Sequence, residues 1–315
     1  MSTFKFKNKR FTYNTVPYNN TGERAVEVPL GLSFLRTIKD KSRVCEIGNV
    51  LAIYEAELGF DTEICPRRIV DLYEKGPRIE NIDVMDLPPG EKYSAIVSIS
   101  TVEHVGQDWL NSEAPGMRDR EGPLKAIAKI YDLLRPQGEA FITVPFGVLT
   151  DSRAQIQFSE PYLRLLTSKY GVPAKAISLG FLRRLIAIEQ RWEEADIDSL
   201  DLAEYCAPMI GANAIAIIEL TKLEEPFELN LHLPPTPLKY HRQIDHLRIG
   251  LVSYSRLLAD TAETIKAKLA AGKDMPSILE EGYPEEWKPW LIDSSDEKRW
   301  FESVCRGVTG GWHSN

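Results

Sequence analysis

Residues Val44-Cys45-Glu46-Ile47-Gly48-Asn49-Val50-Leu51 constrain the fold more than any other stretch: a short apolar strand stops at an acid, passes a glycine and enters a helix-forming run. That is the opening unit of an α/β fold of the nucleotide-binding type. In doubly wound sheets, ligands settle where strand ends open into loops, and a glycine there lets the backbone approach closely. The same turn also occurs in βα units that hold no ligand, so the pattern downstream decides.

Downstream, helix and strand signals alternate. Val50 to Leu58 has helical spacing and Gly59 ends it; Arg68-Ile69-Val70-Asp71-Leu72-Tyr73 reads as a second strand finishing at Asp71. An acid about 20 residues past the glycine turn stands where a ribose diol would find a hydrogen-bond acceptor. The plain alternative is a turn or capping aspartate. Ile79 to Val84 reads as a very short third strand with Asp83 at its end, placed to accept from an exocyclic amine of adenine. Tyr93-Ser94-Ala95-Ile96-Val97-Ser98-Ile99-Ser100 is the clearest strand, and it delivers Ser100, Thr101, Val102, Glu103 and His104 to the opening. A polar loop spans residues 105 to 122, long enough to need a functional reason. A helix from Leu124 to Leu134, stopped by Arg135-Pro136-Gln137-Gly138, leads into a fifth strand over 139–147. Further elements are expected as a helix from Pro161 to Tyr170, a strand near Lys175 to Leu179 and a last strand from Ala212 to Leu220. Repeated strand, helix, strand implies right-handed parallel crossovers.

The ends differ from this core. Residues 1–28 carry Lys5, Lys7, Lys9 and Arg10 and then an unpatterned aromatic and amide-rich stretch, which predicts an irregular arm folded over the opening or along the surface. A first helix follows, burying Val28, Leu30, Leu32, Phe34, Leu35 and Ile38. From Leu223 to Pro237 the chain is proline-rich, a plausible boundary, and beyond it Ile244 to Leu269 shows an apolar helical stripe. The domain reading is therefore 1–41 arm and first helix acting as a lid, 42–222 cofactor-binding domain, and 223–315 linker and helical extension. The stripe in the extension must bury on the domain or in a homodimer.

Composition narrows the partners. With 38 basic against 46 acidic residues in 315, the net charge of −8 repels phosphate backbones, so nucleic acid is disfavoured. Cys45, Cys65, Cys206 and Cys305 form no CxxC pair and fit reduced thiols of a cytoplasmic protein. The N-terminus lacks a signal-peptide apolar region, and no apolar run approaches the ~20 residues needed to span a bilayer, so no membrane association is expected. His241 and His246 do not share a helical face, which disfavours a metal site.

From about Ser42 to Lys222 the chain resembles class I S-adenosylmethionine-dependent methyltransferases. The matching pieces are Val44-Cys45-Glu46-Ile47-Gly48, Val70-Asp71-Leu72-Tyr73-Glu74, Asp83-Val84-Met85-Asp86-Leu87-Pro88, Ser98 to Val105, and Leu133-Leu134-Arg135-Pro136-Gln137-Gly138. The segments Thr21 to Glu27 and Glu103-His104-Val105-Gly106 are similar to methyltransferases of bacterial polysaccharide and secondary-metabolite biosynthesis. The resemblance implies an α/β, Rossmann-like, doubly wound sheet of seven mostly parallel strands with the last strand antiparallel. It implies S-adenosylmethionine as cofactor and S-adenosylhomocysteine as product. It places Glu46 and Gly48 near the methionine portion, Asp71 on the ribose, and Asp83 with the Val84 backbone on adenine; Ser100, delivered to the opening, is a further expected cofactor-binding residue. One departure stands out: Asn49, Val50 and Leu51 occupy positions where the family usually has further glycines.

Methyl transfer from a sulfonium is a direct displacement, so the protein holds acceptor and methyl in line and, for a hydroxyl acceptor, removes a proton. His104 is the candidate base, since an unperturbed imidazole pKa of ~6.5 suits that task, and Glu103 would orient it or stabilise a cationic acceptor. Trp109, Arg118, Arg120, Arg183, Arg184 and Trp192 fall in segments expected to wall the acceptor pocket. The expected acceptor is a small molecule or saccharide, taken at a hydroxyl oxygen. A cofactor-binding but catalytically silent regulatory or scaffold subunit is the alternative.

Overall fold

The computed structural model describes residues 3–14, 22–57, 64–107, 118–185, 191–205, 211–242, 264–274 and 276–278. The chain divides into two compact units, residues 1–243 and 244–315. In the second unit residues 264–270 are helical. The stripe from Ile244 to Leu258 and the tryptophans Trp287, Trp290 and Trp300 lie outside the described residues. No helix among the described residues is long and apolar enough to cross a membrane.

In the first unit the chain begins with strands β1 (Thr3–Phe6) and β2 (Lys9–Thr12), followed by helix α1 (Arg24–Thr37). Then come β3 (Val44–Ile47), α2 (Leu51–Glu57), β4 (Arg68–Val70), β5 (Ile79–Glu80) and β6 (Tyr93–Ile99). The second half adds α3 (Gly122–Leu133), β7 (Leu134–Pro145), β8 (Thr150–Asp151), β9 (Ile156–Gln157) and α4 (Glu160–Ser168). It closes with β10 (Ile177–Leu185), β11 (Arg191–Glu194), β12 (Ala214–Thr221) and β13 (His241–Arg242).

Eight strands form the central sheet in the order β11-β10-β12-β7-β6-β3-β4-β5. From β5 to β7 every pairing is parallel; β12 enters antiparallel between β7 and β10, so β10 runs with the first five. The expected seven-stranded sheet with its last strand antiparallel is therefore present, and β11 adds an eighth by hairpin pairing to β10. Strand order reverses between β3 and β6, the position where open α/β sheets bind ligands at their carboxyl ends. The strands there are fully buried, which is why β3 and β6 read as continuous apolar runs. Asp71 and Ser100 stand just past their strands, as expected, but β5 stops at Glu80 and Asp83 instead caps a 3-10 turn over Val84–Asp86.

Three segments depart from the sequence reading. The expected irregular arm is a hairpin over residues 3–12, turned by Lys7 and Asn8 with φ of 47° and 62°. Left-handed backbone at both turn residues matches the twist of a two-residue hairpin, and Asn8 tolerates it without a glycine to advertise it. Phe4 and Phe6 point inward; a Cβ on Gly180 of β10 would lie 2.5 Å from the Phe6 ring. The hairpin thus seats against β10 and β11, where the Lys7 amide meets the Glu194 carboxylate and Tyr13 pairs with the Trp192 backbone. Residues 15–21, with Tyr18, Asn19 and Asn20, lie outside the described residues. Second, Arg135-Pro136-Gln137-Gly138 does not separate helix from strand. It forms the irregular entry of β7, with Gln137 at φ 61° and its amide bonded to the Lys222 carbonyl at 2.8 Å. Third, the proline-rich stretch expected as a linker lies along the first unit: Phe227, Leu229, Leu233, Leu238 and Tyr240 pack on its core. The Thr236 amide reaches the buried Glu121 carboxylate at 2.6 Å.

The β3–α2 turn is held by a buried ionic network. Glu46 accepts from the Leu51 amide at 2.6 Å and from Arg67 Nε at 2.6 Å, while Arg67 Nη2 reaches Glu55 at 2.8 Å. The Arg67 side chain is fully buried. Burial pushes the Glu46 carboxyl up, and Arg67 pulls it back. Removing the one cation leaves two carboxyls uncompensated, which in buried pairs costs about 3–5 kcal/mol. Arg67→Met is expected to lower unfolding free energy by about that much, and equilibrium urea denaturation reads it.

Candidate functional site

The opening lies at the carboxyl ends of β3, β4 and β6. Gly48 follows β3 with φ 83°, donates to the Val70 carbonyl at 2.9 Å, and has Thr101 Oγ1 2.1 Å from where a Cβ would stand. A side chain there meets both strain and collision, so glycine is required by the turn and by Thr101 together. Asp71 uses Oδ1 to accept from the amides of Tyr73 and Glu74, at 2.8 and 2.7 Å. Its Oδ2 has no partner among the described residues. Asp83 spends Oδ1 on the Met85 amide at 2.9 Å, and Val84 beside it is buried.

Glu46 and Ser100 act inside the fold. Both Glu46 oxygens are committed to Leu51 and Arg67, so it shapes the glycine loop and presents nothing to the opening. Ser100, held at φ 38°, donates through Oγ to Glu27 at 2.6 Å. Sequence reading missed the reason for both: a buried arginine just before β4, and a buried glutamate on α1.

His104 and Glu103 sit in the 3-10 turn Val102–His104 after β6. His104 Nδ1 donates to the Ala154 carbonyl at 2.8 Å, the assignment that a carbonyl partner dictates. Nε2 lies 4.0 Å from Glu103 Oε1. Burial pulls the imidazole down to about 4, so it is neutral near pH 7 and a much weaker base than the unperturbed value suggests. Burial likewise pushes Glu103 up to about 8, with Glu27 and Glu23 adding to the rise and Arg24 opposing it. Glu103 is 2% exposed, and its Oε2 has no hydrogen-bond partner among the described residues.

The N-terminus of α1 completes this corner. Glu27 is ion-paired with Arg24, and Glu23 accepts from the Ala212 amide at 3.3 Å. Burial, then the charge of Glu27, pushes Glu23 up to about 7. Arg184 approaches from β10, its Nη1 2.6 Å from where a Gly22 Cβ would be. The signal for this cluster was present in Glu23-Arg24-Ala25-Val26-Glu27, where the acids fall one helical turn apart.

The other expected wall residues scatter. Arg118 and Arg120 both bind the buried Asp151, Arg183 pairs with Glu193, and Trp192 is buried against the N-terminal hairpin. Trp109 lies outside the described residues, as does most of the expected loop.

No protein-family model matches the chain, and no curated protein matches it. Solved structures do. The N-methyltransferase NodS from Bradyrhizobium japonicum, in complex with S-adenosyl-L-homocysteine, is 14% identical over 67% of this chain and 94% of that one, with a TM-score of 0.37. A SAM-dependent methyltransferase from Archaeoglobus fulgidus is 16% identical over 61% and 93%, with a TM-score of 0.37. The [4+2]-cyclase SpnF is 15% identical over 68% and 86%, with a TM-score of 0.36. Likenesses at this level say nothing of activity; the α/β assignment rests on the strand order itself.

The shifted groups give a pH signature. Glu103 keeps its proton in the folded chain up to about pH 8 but loses it near 4.5 when unfolded, so folding binds the extra proton and stability falls as pH rises through that window. His104 works oppositely: its folded value near 4 lies below the unfolded 6.5, so its contribution is lost as pH falls through that interval. Glu103→Gln removes only the first effect. The variant is expected to gain stability relative to wild type steadily from pH 4.5 to 8, as read by denaturation across that range; a constant difference contradicts it.

Proposed function

We propose that this chain binds S-adenosylmethionine at the carboxyl edge of its sheet and transfers the methyl group to a small-molecule acceptor. The observation that carries the reading is the convergence of Gly48, Asp71 and Thr101 at the reversal of strand order, with Asp71 Oδ2 open to a diol. The residues present suit the cofactor. Asp71 would hold the ribose, Asp83 and the Val84 backbone would receive the adenine, and Gly48 would let the chain pass close by. Glu46 contributes indirectly, by fixing the turn through Leu51 and Arg67. Bound there, the cofactor supplies an electrophilic methyl on a sulfonium.

The remaining work is positioning and proton handling. His104, locked by Ala154, offers a neutral ring beside Glu103. An imidazole near pKa 4 is a poor base for a hydroxyl, whose proton must go somewhere in the displacement. That favours an acceptor arriving with a usable lone pair over the hydroxyl oxygen of the sequence reading.

Calorimetric titration with S-adenosylhomocysteine tests the reading: binding is expected for wild type, and none for NAD. Asp71→Ala is expected to weaken it by about 1.5–3 kcal/mol, the scale of a hydrogen bond to a charged group. Absence of S-adenosylhomocysteine binding removes the proposal, and binding without turnover on any acceptor turns it into the silent-subunit alternative.

A further inference from the structure

Glu23, Arg24 and Glu27 on α1, Glu103 and His104 after β6, and Arg184 on β10 meet in one corner of the first unit. Three carboxyls face two guanidiniums. Most are answered within the protein: Glu27 takes Arg24 and the Ser100 hydroxyl, and Glu23 takes the Ala212 amide with Arg184 beside it. Glu103 is different. Its carboxyl is almost wholly buried, and Oε2 meets no donor among the described residues. A buried carboxyl oxygen left without a partner costs free energy whether or not it carries the proton, and native folds seldom keep one without a use.

The corner adjoins the site proposed above. Thr101, two residues before Glu103, packs on Gly48; Ser100 bridges to Glu27. The rim is partly open, with the side chains of Arg24 and His104 14% and 21% exposed. A group docked on Glu103 would therefore stand beside the glycine loop.

We infer that this acidic corner, with Glu103 Oε2 as its receiving atom, is the subsite for an amino group of the acceptor, held as an ammonium and separate from the atom that receives the methyl. Glu103 holds its proton up to about pH 8, so an ammonium docks by releasing that proton to water and pairing with the carboxylate left behind, whereas an alcohol adds a hydrogen bond but no charge to hold the ionised form. Once that proton has left, the ammonium offsets the repulsion that Glu27 and Glu23 exert on the ionised Glu103. This rests on the methyl-transfer reading, since it names the class of acceptor that reading leaves open.

Butylammonium and its neutral isostere 1-butanol are suitable probes of the full chain, followed by carboxyl 13C NMR with glutamate labelled at Cδ. The Glu103 resonance is assigned by its absence in Glu103→Gln. The amine is expected to bind about tenfold or more tighter than the alcohol and to draw the Glu103 titration down toward the ordinary carboxylate range. Glu103→Gln is expected to abolish the preference. Equal response to both probes, an unmoved Glu103 titration, or an undiminished preference in Glu103→Gln overturns the inference. The wild-type comparison decides alone if the variant does not fold. S-adenosylhomocysteine binding without an amine response overturns the subsite only; an amine response without S-adenosylhomocysteine binding overturns the methyl-transfer reading only.

Discussion

One guanidinium shared by two buried carboxylates sets the geometry on which this site depends. Arg67 enters from the residue before β4 and ties Glu46 on β3 to Glu55 on α2. Through Glu46 the same network reaches the Leu51 amide at the start of α2, so strand end, glycine turn and helix start are fixed as one body. This explains how a loop without extra glycines keeps its shape. Asn49, Val50 and Leu51 restrict the backbone, and the ionic clamp supplies the rigidity that lets Gly48 alone carry the left-handed conformation.

The fold treats its two groups of buried acids differently. Glu46 and Glu55 are answered by a fully buried cation. Glu23, Glu27 and Glu103 share cations at the rim, and one oxygen is left over. A buried pair with its partners in place is structurally quiet, whereas a buried carboxyl without a partner holds its proton to an unusually high pH where the sheet opens. The contrast separates scaffold from site better than residue type does, since both groups consist of glutamate and arginine.

How much was legible in the sequence follows from whether the deciding contact was local. Strands β3, β6 and β12 are buried on both faces, so their uninterrupted apolar runs announced them; β3 thereby placed Gly48, while the short run of β4 did the same for Asp71. The N-terminal hairpin was hidden because lysines interrupt Phe4 and Phe6 and its turn lacks glycine; its burial depends on the bare backbone of Gly180, far along the chain. Strand β11 was hidden likewise, since Arg191-Trp192-Glu193-Glu194 reads as polar surface until β10 pairs with it. At the site, neighbours distant in sequence decided the roles. Arg67 took Glu46 out of the opening, Glu27 took Ser100, and burial lowers the basicity of His104 below what its residue type suggests.

The seat of the N-terminal hairpin sets an order of assembly. The Tyr13 hydroxyl receives the Trp192 amide across 179 residues of chain, and Phe6 needs the Gly180 backbone to lie against. Neither partner exists until β10 and β11 have been made. The hairpin thus docks only after strands far later in the chain, and closing so long a loop is entropically slow to nucleate. Until then Phe6 and Tyr13 lack their seats on Gly180 and Trp192, which gives the charges on Lys5, Lys7, Lys9 and Arg10 a second use: keeping a waiting aromatic ribbon apart from its copies.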